Sequence, residues 1–169
     1  MDNTEYLKFV ALKEKQFEDG IIIDKDHFEY IRQKFLEFIK LAKEIDEIKS
    51  SIIYADKPSG KHIKLSEQNV RILHAFTGMV SELGEMLQDF TYTFDCENLD
   101  NFIAELGDYR FYEGILLNIF KLTQEQIHEV NEQKLNKRYK NGFTIKESLE
   151  RNTKEENKII SNKISKIKK

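Results

Sequence analysis

Residues 66–89, SEQNVRILHAFTGMVSELGEMLQD, and residues 98–121, NLDNFIAELGDYRFYEGILLNIFK, decide the fold. In the first stretch Val70, Ile72, Leu73, Phe76, Met79, Val80, Leu83, Met86 and Leu87 recur at helical spacing. They surround most of the helix instead of lining one side, the mark of burial on several faces. The second stretch reads the same way through Ile103, Leu106, Tyr109, Phe111, Ile115, Leu116, Leu117, Ile119 and Phe120. Two such helices predict an all-α core.

Outward from this pair, the other segments are amphipathic or polar. Asn3 or Thr4 is expected to cap a first helix that ends at Asp19-Gly20. Asp24 is expected to cap a second, running to about Lys49. There Phe28, Ile31, Phe35, Phe38, Ala42 and Ile45 alternate steps of three and four, one apolar stripe that suits a bundle seam or a subunit contact. Residues 50–65 read as a polar loop with a turn at Lys57-Pro58-Ser59-Gly60. Ser66 opens the first quoted helix. Phe90–Glu97 reads as a connector, and Asn98 or Asp95 caps the next helix. Thr123 with Gln126, and Thr144 with Glu147, form two capping boxes. The first opens a helix to about Tyr139, before the Asn141-Gly142 turn. The second opens a short helix to about Arg151. Beyond Lys154 the chain reads as a frayed helix or a disordered tail. The expected architecture is a four-helix-bundle core with an N-terminal helical extension over residues 1–23. The main domain spans residues 24–152, and residues 153–169 form a lysine-rich tail.

Composition agrees. One proline and seven glycines among 169 residues are too few for the turns of an all-β sandwich. The single cysteine, Cys96, excludes an internal disulfide and a thiolate zinc site. There is no apolar run of spanning length and no leader pattern in MDNTEYLKFV, so no membrane partner and a cytoplasmic location are expected. Charged residues make up 34% of the chain, yet the net charge is −3. From Lys154 onward six lysines face two glutamates, so the rest is distinctly acidic. A specific nucleic-acid binder would be basic overall, and the tail carries no aromatic residue on which a base would stack.

Four carboxylates stand among the apolar residues. Glu82 and Glu85 lie three apart on one helix, and Glu105 and Asp108 three apart on the next. Residues at that spacing share a helix face. A carboxylate among core residues requires a cation, and an oxygen-only ligand set suits Mg²⁺ or Mn²⁺. A di-iron bundle needs Glu-x-x-His on two helices; only Glu125-x-x-His128 fits. Downstream, Asn131, Lys134 and Arg138 share one helix face, a pattern that suits phosphate oxygens as well as a plain solvated surface.

At these residues the sequence resembles the MazG-like family of all-α nucleoside triphosphate pyrophosphohydrolases, in its small phage or bacterial form. That family is marked by ExxE, a spacer, then ExxD. Here Glu82-Leu83-Gly84-Glu85 is followed, after residues 86–104, by Glu105-Leu106-Gly107-Asp108. Asn131 to Phe143, NEQKLNKRYKNGF, is similar to the family segment N-x-x-K-L-x-K-R-Y-P-x-G-F. His74 matches a histidine common in the family, and Thr144 to Asn152 resembles the segment that follows the domain. The likeness spans residues 66–152, with its motifs in 66–143. Ala104 replaces a frequent glutamate and Lys140 the usual proline.

The resemblance implies hydrolysis of a (d)NTP to (d)NMP and pyrophosphate, in a homodimer or homotetramer, inside a bacterial cell or a phage-infected host. Glu82, Glu85, Glu105 and Asp108 would hold Mg²⁺, with Mn²⁺ a possible substitute, and Glu82 or Glu85 would orient the attacking water. Lys134 and Arg138 would hold the β- and γ-phosphates, and Asn131 a phosphate or the sugar. Tyr112 is either a sugar contact favouring deoxynucleotides or a core residue. His74, two turns before Glu82 and about 12 Å away along the helix, reads first as a structural histidine and second as a base contact. The rival reading is a catalytically silent helical module that binds nucleotide or a partner.

Overall fold

The computed structural model describes residues 1–15, 22–53, 63–93, 98–140 and 142–167. The turns expected at Asp19-Gly20, Lys57–Gly60 and Asn141, together with Asp95 and Cys96, lie outside the described residues. Seven helices account for the regular structure there: α1 (Asn3–Lys13), α2 (Lys25–Ile53), α3 (Glu67–Thr93), α4 (Leu99–Phe120), α5 (Gln124–Arg138), α6 (Ile145–Leu149) and α7 (Thr153–Ile167). The all-α class expected from the sequence is the class observed. No helix among the described residues is long and apolar enough to cross a membrane.

Most helix starts follow local side-chain chemistry. The Asp24 carboxylate accepts the His27 N–H at 2.9 Å, and Ser66 Oγ accepts the Asn69 N–H at 3.2 Å. Asn98 caps α4 by accepting the Asn101 N–H. Thr123 and Gln126 exchange both bonds of a capping box. Thr144 accepts the Glu147 N–H, while its hydroxyl donates to the Glu147 carboxylate. The first helix corrects the expectation at Asn3 or Thr4. Its cap is Asp2, in a capping box with Glu5. Two further boundaries move outward. α2 runs on to Ile53, and α3 continues through residues 90–93, where a connector was expected. Thr91 is fully buried, so packing outweighs the weak helix propensity of the aromatic and threonine residues there. α4 ends at Lys121, whose φ of 56° is a left-handed cap normally given to glycine.

The chain divides into two compact units: residues 22–121, and residues 1–21 with 122–169.

In the first unit α3 packs against both α2 and α4. The apolar stripe of α2 is half-buried, with Ala42 fully covered. The α2–α3 crossing is close. A Cβ added to Gly84 would overlap the Ala42 methyl, and one added to Gly78 would overlap the Tyr112 ring. The buried side of α3 is therefore small and polar: Ala75, Gly78, Ser81, Glu82, Gly84 and Thr91. Phe76 and Leu83 are exposed instead. α4 also departs from the expected all-round burial. None of its residues is fully buried, and Leu99, Ile103 and Phe111 are more than half exposed.

In the second unit α5 packs against α7 and α1. The Tyr6 ring lies flat on His128 with centroids 3.9 Å apart, and Asn131 donates to the Tyr6 hydroxyl. Lys13 donates to the Tyr139 carbonyl at 2.8 Å. The lysine-rich segment is a helix, α7, docked on α5, rather than a solvated tail.

Candidate metal and nucleotide site

The site begins with two turns of α3 and two of α4. Helical spacing puts Glu82 and Glu85 on the face of α3 that meets α4, and α4 returns Glu105 to them. One oxygen from each of the three carboxylates lies within 4.8 Å of the other two. Glu82 is buried, Glu105 half-buried and Glu85 exposed at the rim. Asp108, one turn along α4, is exposed and stands outside that group. Its charge still reaches Glu82.

The electrostatics follow from this crowding. Burial pushes the Glu82 carboxyl up to about 7, and the Glu85 charge and a hydrogen bond with Glu105 add to the rise. Burial also raises Glu85, with the charges of Glu105 and Asp46 beside it. Like charges at such range favour holding a proton or gaining a cation. The donor set consists of carboxylate oxygens, which fits Mg²⁺ or Mn²⁺ and not a soft metal. Clefts of about 320 Å³ and about 210 Å³ open beside the cluster, and Glu85 borders both. The larger is rimmed by Lys43, Gln88, Asn98, Asn101 and Glu105, and the smaller lies between α2 and α3.

Toward the start of α3 a second polar group adjoins the carboxylates. Tyr112 lies over Gly78, and the His74 ring meets it edge-on with centroids 5.3 Å apart. Burial, then the Lys49 charge, lowers the His74 pKa. Lys49, from α2, places its ammonium 3.3 Å from Ser81 Oγ, 3.5 Å from the Tyr112 hydroxyl and 5.3 Å from that ring's centre. Burial works to lower the Lys49 pKa, but the bond to Asp46 and the contact with Tyr112 leave it raised. Lys49 thus stays charged. A sequence signal for this position exists. The α2 stripe steps 28, 31, 35, 38, 42, 45, and its next step lands on Lys49.

The basic segment belongs to the other compact unit. Asn131 is engaged by Tyr6. Lys134 is half-buried, with no ion pair among the described residues. Arg138 is committed: Nε and Nη2 donate to the two Glu156 oxygens at 2.8 and 2.7 Å, and Arg151 joins at 3.1 Å. Glu156 is 3% exposed. Its pKa is lowered, chiefly by the Arg138 bond, against the cost of burial. No local sequence signal marks Glu156 as a partner of Arg138, because the pairing depends on α7 docking on α5. His128, in the single Glu-x-x-His, is buried under Tyr6 as a packing residue.

Compared with protein-family models, with curated proteins and with solved structures, the chain matches none of them.

Proposed function

We propose that this chain is a divalent-cation-dependent nucleoside triphosphate pyrophosphohydrolase of the MazG-like type, with deoxynucleotides preferred. The four-helix-bundle arrangement and the oligomeric state of that family belong to the same proposal. One observation carries it: the convergence of Glu82, Glu85 and Glu105 on a spot where Glu82 is buried and strongly raised.

Glu82, Glu85 and Glu105 would hold Mg²⁺ or Mn²⁺, with Asp108 closing the set from the exposed side. Such an ion supplies polarisation of a phosphate oxygen and a lowered pKa for a nearby water. The chain's own groups do the rest. A Glu82 carboxylate that titrates near neutral pH can take the proton of the attacking water. Glu85, at the rim, can orient that water in the same role. Attack at the α-phosphorus forms one P–O bond and breaks the α–β bridge, and pyrophosphate leaves. Tyr112, fixed over Gly78, offers a flat surface and a hydroxyl to the sugar. A second reading, a nucleotide- or partner-binding module without turnover, is favoured by the engagement of Arg138 with Glu156.

The test is direct. Purified chain with Mg²⁺ or Mn²⁺ and each of the common (d)NTPs should release pyrophosphate. Glu82→Gln and Asp108→Asn should abolish release while preserving the helical signal. Binding of nucleotide without turnover on any (d)NTP would favour the second reading.

A further inference from the structure

We propose that Lys49 is a phosphate-binding residue of the carboxylate site, donating to the phosphate chain of a nucleotide held there. The inference rests on the pyrophosphohydrolase reading and adds a residue to it that no sequence motif supplies. Lys49 sits within the same compact unit as the carboxylates, and its side chain is only 14% exposed. A lysine ammonium has three donors and no acceptor. Asp46 takes one of them. The other two neighbours, Ser81 Oγ at 3.3 Å and Tyr112 OH at 3.5 Å, are at the long limit of hydrogen bonding. Among the described residues, two donors of this mostly enclosed ammonium thus have only long contacts.

The nearby charges sharpen the point. The Lys49 charge is felt by Glu82 and Glu85, yet it forms an ion pair with neither among the described residues. It is near the metal-type cluster without neutralising it. A cation so placed has an obvious use when a phosphate chain spans from the carboxylates toward Tyr112. The contrast with Arg138 is instructive. That guanidinium already spends its fork on a buried carboxylate, whereas among the described residues Lys49 meets Ser81 and Tyr112 only at long range. Ser81 helps to hold it. The Ser81 hydroxyl hydrogen is directed back to the Thr77 and Gly78 carbonyls, 3.0 and 2.9 Å away, which leaves its oxygen to accept from the lysine at 3.3 Å.

The experiment compares wild type, Lys49→Met and Lys49→Arg by titration calorimetry. The probes are Mg²⁺ alone and an α,β-imido deoxynucleoside triphosphate with Mg²⁺. Loss of one charge-assisted donor should weaken analogue binding roughly tenfold to a hundredfold in Lys49→Met. Lys49→Arg should recover much of it. Binding of Mg²⁺ alone should be unchanged or tighter in Lys49→Met, because a cation has left the cluster. A purely structural lysine would weaken both probes together, and that result overturns the inference. Equal analogue affinity in wild type and Lys49→Met overturns it while leaving the pyrophosphohydrolase reading intact. Failure of wild type to bind the analogue at all overturns both.

Discussion

Replacing Glu82 by glutamine should make the metal-free protein more stable at alkaline pH and remove its response to magnesium. The carboxyl is raised from 4.5 to about 7, first by burial, then by Glu85 and the Glu105 bond. The native state therefore keeps a proton that the unfolded chain releases. Stability from this group is fully present below pH 4.5 and is lost as pH rises through about 7. At pH 8 the ionised form costs roughly 3 kcal/mol at most. Solvent reaching the exposed Glu85 rim screens this to on the order of 1–2 kcal/mol. For a chain of this size that is a rise in Tm of about 4 °C for Glu82→Gln at pH 8, and almost none at pH 5. Saturating Mg²⁺ should raise the Tm of wild type at pH 8 and leave Glu82→Gln nearly unmoved. Thermal unfolding followed by circular dichroism, in EDTA and in Mg²⁺, reads both effects. A Glu82→Gln protein less stable than wild type at pH 8 in EDTA, or one stabilised by Mg²⁺ as much as wild type, would refute the electrostatic reasoning.

The remaining predictions concern the scaffold. Gly84→Ala should destabilise the chain by about 1–3 kcal/mol, because its methyl meets the Ala42 methyl across a packed crossing, and urea unfolding reads the loss. Gly78→Ala should displace the Tyr112 ring and raise KM for the nucleotide more than it lowers kcat. Glu156→Gln should cost on the order of 2–3 kcal/mol by leaving Arg138 short of its countercharge. In wild type the same pair should weaken only as pH falls below the usual glutamate range, since the Glu156 value is lowered, and α7 amides should then exchange faster with solvent. Asp2→Ala should cost about 1 kcal/mol of α1 stability, whereas Asn3→Ala should be nearly neutral.

What could be read in advance was local. Asp24, Ser66, Asn98, Thr123 and Thr144 each reach the N–H group three residues on, so spacing alone reveals them. Asp2 was missed in favour of Asn3 or Thr4 because the capping box depends on Glu5 standing at the third helical position. The setting of the acidic pairs among apolar residues singles them out, and the structure brings Glu82, Glu85 and Glu105 together while Asp108 stands exposed outside the group. Burial was misjudged where it depends on which neighbour a helix meets. α3 turns its small residues inward to let α2 approach, and so Phe76 and Leu83 face out. The α2 stripe points to the position of Lys49, but its neighbours Ser81 and Tyr112, like the Glu156 partner of Arg138, lie on other helices, and no local pattern encodes that packing. The two motif halves also fall in different compact units, a division that sequence spacing does not carry.

The seam of small side chains along α3 has a calorimetric consequence. Among the described residues, the fully covered apolar side chains of the α2–α4 unit are Ile39, Ala42 and Ala75. Unfolding such a unit hydrates less hydrocarbon than usual, so its heat-capacity increment should fall below the common ~12–15 cal/mol/K per residue. Its stability curve is then shallow and broad. Cooling strengthens it little and gentle warming weakens it little.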